Sequence, residues 1–295
     1  MDVNIHRRNK LIKENITCVN VQGMSIPLFA VFEINVCGLC NRTCSFCPRA
    51  TNYPNTKEYL SIKLWEKVVK DVASLQFNGV FLLSAFSEPL MHPELDQIIA
   101  IAKTYCPKCK VEMVTNGDFL TEKRLESLYK AGVNTVLISL YDGAYQVDQF
   151  NNMRKKSGIS AKRMVLRKRY TTEEFNKTNR GGLINEGIQY QPSEYPLIRE
   201  CYLPCYTLLM DYDGLAYICT HDWGKKLCIG NLSDQSIVDV WIGKIMMFAR
   251  FNLINKNRAQ APCNICNTDG TLVGKEYAAL WKKINRDILM KEPYK

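Results

Sequence analysis

Short unbroken apolar runs alternate with longer amphipathic stretches along the first two thirds of the chain. Residues 31–36 form one such run, and its length predicts a buried strand. Residues 80–85, 110–114 and 133–140 predict three more strands, and 163–168 a fifth. Between them the apolar positions take helical spacing. Leu64, Val68, Val69, Val72 and Leu75 mark a helix that Ser61 can cap. Leu95, Ile98, Ile99 and Ala102 mark another over 93–105, and 121–131 reads as a third, closed by Gly132. Strands alternating with helices predict an α/β chain on a parallel sheet, open or closed into a barrel. In such folds the chemistry sits on loops at the C-terminal ends of the strands.

The pattern changes near Gly181-Gly182. Two short β-like runs, 207–210 and 215–219, meet at the turn Asp211-Tyr212-Asp213-Gly214. A helix is expected over 236–251. An amphipathic one is expected over 275–290 through Tyr277, Leu280, Trp281, Ile284 and Ile288. This divides the chain into an irregular or accessory segment at 1–29, a core at 30–190, a small domain at 191–274 and a last helix at 275–295.

With 295 residues, 46% of them hydrophobic, the chain can bury one large core and a small appended domain. No apolar run approaches the roughly 18 residues of a membrane span. Met1 to Lys13 is polar and charged, so a cytoplasmic protein is expected. Thirteen cysteines, an odd number, cannot all pair, and clustered thiols in a reducing compartment favour metal. The net charge of +10 comes largely from the stretch Arg154 to Arg169. That stretch is either a solvated surface or a site for an anionic substrate such as a phosphorylated or nucleotide-linked sugar. No aromatic-rich RNA-binding signature accompanies it, which sets nucleic acid aside.

Cys40-x3-Cys44-x2-Cys47 places three thiolates on the loop after the first strand. A cubane iron–sulfur cluster has four irons, so three cysteines leave one iron open. The amino and carboxylate groups of S-adenosylmethionine fit that vacancy. Zinc sites normally show paired CxxC units and four protein ligands, which this loop lacks. The loop resembles that of the radical S-adenosylmethionine (radical SAM) superfamily, and Phe46 stands where those enzymes carry an aromatic beside the adenine. The next motifs follow in the same order. Ser87-Glu88-Pro89 resembles the segment that holds the amino group of S-adenosylmethionine, with Ser87 in place of the usual glycine. Thr115-Asn116-Gly117 resembles the motif after the third strand. Ser139 resembles a polar position that touches the ribose or carboxylate. The resemblance implies a partial (β/α) barrel, a [4Fe–4S] cluster, a 5′-deoxyadenosyl radical and a flavodoxin- or ferredoxin-type electron donor.

Cys201-x12-Gly214-x4-Cys219, followed by Cys263-x2-Cys266, resembles the twitch domain, a shortened SPASM domain that holds a second [4Fe–4S] cluster. A structural zinc on the same four cysteines stays open at this point. Cys106-x2-Cys109 has no partner pair and reads as incidental. Within the twitch enzymes the text over 31–268 resembles the 2-deoxy-scyllo-inosamine dehydrogenases, through Cys40-Asn41-Arg42-Thr43-Cys44, the run from Thr115 to Leu125, and Asn179-Arg180-Gly181-Gly182. That family oxidises an aminocyclitol alcohol to a ketone. The radical takes the carbinol hydrogen, a base takes the hydroxyl proton and the second cluster takes an electron. The resemblance implies a carbohydrate- or cyclitol-like substrate, with Arg180 orienting its hydroxyl. Thr220-His221 replaces Phe-Glu, and Val114 replaces a tyrosine, so the pocket has changed. His221 is the candidate base, with a pKa near neutrality. Cys228 is either a small buried hydrophobe or a hydrogen donor, which would make the enzyme an epimerase. Modification of a peptide, as in other SPASM enzymes, is a third reading.

Overall fold

The structure is a computed structural model that describes residues 3–14, 16–21, 23–51, 53–171, 177–185, 188 and 191–291. The N-terminal segment, expected to be irregular or accessory, holds regular elements among its described residues. Helix α1 (Val3–Glu14) precedes a hairpin of β1 (Cys18–Val21) and β2 (Met24–Pro27). The alternation then unfolds as β3 (Val31–Ile34), α2 (Ile62–Ser74), β4 (Val80–Leu83), α3 (Leu95–Tyr105), β5 (Lys110–Thr115), α4 (Glu122–Ala131), β6 (Thr135–Leu140), α5 (Tyr145–Lys156) and β7 (Met164–Lys168). Ser61 caps α2 by accepting from the Leu64 amide at 3.2 Å, and Gly132 closes α4 in a left-handed conformation. Helix α5 has no counterpart in the sequence reading. It buries only Gln146 and Phe150, so its apolar stripe is too thin to see.

The later part gives α6 (Leu203–Tyr206), β8 (Thr207–Met210), β9 (Leu215–Tyr217), β10 (Cys228–Asn231), α7 (Ile237–Trp241), α8 (Lys244–Ile254) and α9 (Lys275–Lys291). The single helix expected over 236–251 is two, broken at Ile242-Gly243. The side chain of Ile288, expected on the apolar face of the last helix, lies outside the described residues.

Among the described residues the main sheet runs β10-β9-β8-β3-β4-β5-β6-β7. From β8 to β7 every neighbouring pair is parallel, which makes an open, partial barrel. Strand β8 pairs with β3 from Val31↔Thr207 to Ile34↔Met210, so the strands beyond residue 191 continue the core's own sheet. The outer faces bury Trp65, Phe29, Phe32, Phe81 and Trp241 against one another. Helix α9 is part of this packing. Trp281 is fully buried and donates from Nε1 to the Cys205 carbonyl at 3.0 Å.

The lumen is not wholly apolar. Glu33 on β3 and Glu112 on β5 are buried inside it. Helix α1 covers the end of the barrel opposite the cysteine loop, and Arg7 donates to both Glu112 oxygens, at 3.0 Å to Oε2, and to Thr135 Oγ1 at 3.3 Å. Removing one member of such a pair leaves an uncompensated buried charge. We predict that Arg7→Ala lowers stability by about 3–5 kcal/mol in denaturant titration, and that adding Glu112→Gln recovers most of it. Equal loss in the single and double variants would mean that α1 contributes by packing alone.

Candidate active site

The C-terminal ends of β3, β4, β5 and β6 open into one cleft with about 670 Å3 of empty space, part of it open to solvent. Its wall holds Cys40, Cys44 and Cys47, then Phe46, Ser87, Glu88, Thr115, Asn116 and Ser139. The structure thus brings together residues that are 99 positions apart in sequence from Cys40 to Ser139. Pro89 shapes the turn after Glu88 without reaching the wall.

Glu88 is buried and accepts from Thr115 Oγ1 at 2.6 Å, the Asn116 amide at 2.8 Å and the Leu90 amide at 3.1 Å. Burial pushes its carboxyl up to about 7, against those donors, which favour the charged form. Asn116 ties the third-strand motif to the cysteine loop by donating to Asn41 Oδ1 at 2.8 Å. Ser87 donates to Asn35 Oδ1 at 2.6 Å. Phe46 lies 5.4 Å from Tyr141, a second wall ring two residues beyond Ser139 on the same strand face.

Burial, then the neighbouring Cys47 and Cys40, push the Cys44 thiol up to about 11. Burial raises the Cys40 thiol as well, and thiolates at these positions need a cation among them, which an iron–sulfur core provides. The second set behaves alike. Burial, then Cys263, Cys266 and Cys201, hold Cys219 well above the usual thiol range. A Cβ on Gly270 would stand 2.2 Å from Cys201 Sγ, so that backbone leaves room only for the sulfur. A single zinc would draw its thiolates to about 4 Å from one another, given bonds of roughly 2.3 Å. Among the described residues no three His, Cys, Asp or Glu side chains stand close enough to share one metal ion.

Arg180 also lines the cleft. Its Nε is buried and has no hydrogen-bond partner, and burial lowers its pKa while Cys47 and Cys266 oppose that shift. It therefore lies between the two cysteine sets. Its loop is tied to the second set. Asn179 donates from its amide to Asn267 Oδ1 at 2.8 Å, Asn267 returns a bond to Asn179 Oδ1 at 3.2 Å, and Asn179 Nδ2 reaches the Ile265 carbonyl at 2.6 Å. Gly181 has φ +66°, and a Cβ on it would meet the His221 carbonyl at 2.7 Å, so the turn admits only glycine.

Two expectations need correction. His221 does not line the cleft; its Nδ1 lies 3.3 Å from Thr178 Oγ1, behind the Arg180–Gly181 turn. Burial, then Arg180 and Arg258, lower its pKa to about 3 instead of leaving it near neutrality. Cys228 is also off the wall. Its thiol faces the Gly230 carbonyl at 3.4 Å and packs against the cluster of Phe86, Leu209, Tyr217 and Trp223. Val114 does line the cleft, as expected. The sequence reading missed Arg49, Tyr141 and Trp223 on the wall. Only Tyr141 had a local signal, its two-residue offset from Ser139.

Comparison with known proteins agrees with this geometry. The profile of the Radical SAM superfamily matches residues 34–169, and that of an iron-sulfur cluster-binding domain, SPASM, matches 201–267. The S-adenosyl-L-methionine-dependent 2-deoxy-scyllo-inosamine dehydrogenase of Niallia circulans is 26% identical over 251 residues, covering 85% of this chain and 97% of the relative. The GTP 3′,8-cyclase of Aquifex aeolicus is 33% identical over 122 residues, 40% of this chain and 37% of that one. The crystal structure of BtrN in complex with AdoMet and 2-DOIA superposes with a TM-score of 0.73 at 26% identity, covering 86% of this chain and 98% of BtrN. Native anSMEcpe with bound AdoMet shares the fold at a TM-score of 0.52 and 14% identity, over 88% of this chain and 97% of that one.

Anaerobic reconstitution is expected to load about eight irons per chain, and the triple variant Cys40→Ala, Cys44→Ala, Cys47→Ala about four. Iron that stays near four in the unaltered protein would remove the second cluster.

Proposed function

We propose that the chain is a radical SAM enzyme with a second, SPASM-type iron–sulfur domain, and that it oxidises a secondary alcohol of a sugar- or cyclitol-like molecule to a ketone. The observation that carries the reading is Arg180, whose buried Nε has no hydrogen-bond partner, set between the two cysteine sites in the wall of the cleft. When bound, S-adenosylmethionine and the first cluster supply a 5′-deoxyadenosyl radical that removes a carbon-bound hydrogen, and the second cluster supplies a place for the electron left behind.

The chain's own residues then have separable tasks. Ser87, Glu88, Thr115, Asn116 and Ser139 present polar atoms at the end of the cleft nearest the three cysteines and hold the polar parts of S-adenosylmethionine. Phe46 and Tyr141 offer ring faces for the adenine. Arg180 donates to the substrate hydroxyl oxygen, and a fixed cation there favours loss of the hydroxyl proton to water in the solvent-open cleft. An anionic substituent on the substrate would suit the same wall. The relative's name supports the alcohol class, while Val114 and Trp223 on this wall set which alcohol fits. A flavodoxin- or ferredoxin-type donor in the cytoplasm completes the reading. The reading assigns no step to Cys228 or to His221, whose pKa burial lowers to about 3.

Three outcomes test this. With 2-deoxy-scyllo-inosamine or a related cyclitol as probe, the product is expected to be lighter by two hydrogens, alongside 5′-deoxyadenosine. A product of unchanged mass that carries deuterium from D2O would establish inversion instead. Arg180→Lys keeps the charge but loses the fork, so turnover should fall about 10-fold or more while uncoupled cleavage of S-adenosylmethionine persists. Equal loss of both would move Arg180 to the cofactor side. The ionised Glu88 accepts from the cofactor's ammonium in a charge-assisted bond that the neutral acid cannot match. A raised carboxyl pKa means the folded protein holds that proton until pH exceeds the raised value. Cofactor affinity should therefore weaken as pH falls below about 7, roughly tenfold per unit, and the slope should vanish in Glu88→Gln. A pH-independent affinity in the unaltered protein would take Glu88 out of the cofactor site.

A further inference from the structure

Arg49, two residues after Cys47, is 9% exposed and lines the cleft. Its Nε donates to the Phe86 carbonyl at 2.8 Å, one Nη to Asn55 Oδ1 and the other to the Gly38 carbonyl at 3.2 Å. The Tyr53 ring lies 5.2 Å from its guanidinium carbon. Every one of these acceptors is neutral. Asn55 in turn holds the peptide of Cys40 from both sides. Its Oδ1 accepts from the Cys40 amide at 2.8 Å, and its Nδ2 donates to the Cys40 carbonyl at 2.9 Å. The segment after the cysteines also returns alongside them, with the Gly38 amide on the Glu58 carbonyl at 2.9 Å and the Thr56 amide on the Gly38 carbonyl at 3.1 Å.

A buried guanidinium is costly without an anion, and neutral oxygens satisfy its N–H groups without cancelling its charge. The three cysteines share the cleft wall with Arg49 and become strongly negative once they ligate iron. Reduction of the cluster adds one more negative charge at the same place, and net charge and hydrogen bonding set such potentials.

The geometry points to Arg49 and Asn55 as one device: Asn55 clasps the Cys40 peptide, and Arg49 is the fixed counter-charge that favours the reduced state of the three-cysteine cluster. Both are positioning residues. They touch neither the substrate nor the reacting carbon, and the inference rests on the radical SAM reading of that loop.

The test uses the reconstituted holoenzyme, with dithionite as one-electron reductant and EPR as readout. The signal that changes on adding S-adenosylmethionine reports the first cluster; the other reports the second. Arg49→Met is expected to make the first cluster at least tenfold harder to reduce, about 59 mV for one electron, with the second unmoved. Arg49→Lys should recover most of that shift. Asn55→Ala should lose iron from the first site to a chelator several-fold faster. An unmoved potential in Arg49→Met overturns the counter-charge, and unchanged iron retention in Asn55→Ala overturns the clasp. If Arg49→Met loads no iron at the first site, Arg49→Lys decides. Loading at the unaltered potential supports the charge, and failure to load makes Arg49 a structural tie and overturns the proposal. Signals in the unaltered protein that ignore S-adenosylmethionine would overturn the reading of the loop itself.

Discussion

The pairing of β3 with β8 is the constraint on which the molecule depends. Strand β3 leads into Cys40, and β8 lies between Cys201 and Cys219 in sequence, so their parallel register from Val31↔Thr207 to Ile34↔Met210 brings the two cysteine sets to one rim of the sheet. The alignment continues past the strands. The Asn35 amide bonds the Met210 carbonyl at 2.9 Å, and Asn35 Nδ2 donates to Asp211 Oδ1 at 2.7 Å. The same Asn35 side chain accepts from Ser87 and from the Phe86 amide. One buried amide thus joins the loops after β3, β4 and β8, and leaving any of its partners unpaired would cost about 1–3 kcal/mol. A register slip would turn Glu33 out of the lumen and move every loop at the rim.

The repeating core was legible because its signal is local. A buried strand of a parallel sheet is an apolar run, and a covering helix is an apolar stripe, so β3 to β7 and α2 to α4 appear in the sequence within a few residues of their observed ends. Helix α1 was not legible, because its tie to the barrel is the pair Arg7–Glu112 across 105 residues of sequence. The break between α7 and α8 was hidden by an apolar pattern that continues through Ile242.

The site divides along the same line. The cysteine loop, Ser87-Glu88, Thr115-Asn116 and Ser139 are contiguous motifs at strand ends, and strand direction alone carries them to the cleft. His221 and Cys228 depended on which way a hairpin turns its side chains. The second cysteine of the hairpin faces its partners, and the residues after it pass behind the Arg180 turn. Proximity in sequence to a metal ligand does not place a side chain in the pocket. Arg49 and Asn55 escaped notice for the opposite reason, since each is unremarkable until its loop folds back on Cys40.

The buried arginines separate structure from function without reference to any relative. Arg250 stacks between Trp241 and Trp281 at 4.3 and 3.7 Å and donates to the Pro204 and Trp241 carbonyls. Arg258 donates to the carbonyls of Arg199, Glu200 and Thr268. Arg49 spends its fork on two carbonyls and an amide. In each the donors are matched by backbone or amide oxygens, so the guanidinium ties segments together and its donors are not left for a ligand. Arg180 breaks the pattern, with a buried Nε that no oxygen meets and a position in the cleft wall. The open donor alone does not mark Arg180, since Arg154 Nε is buried and unmet as well; its place in the cleft wall, which Arg154 lacks, is what sets it apart. The difference lies in hydrogen-bond accounting and position together, which no motif in the sequence displays.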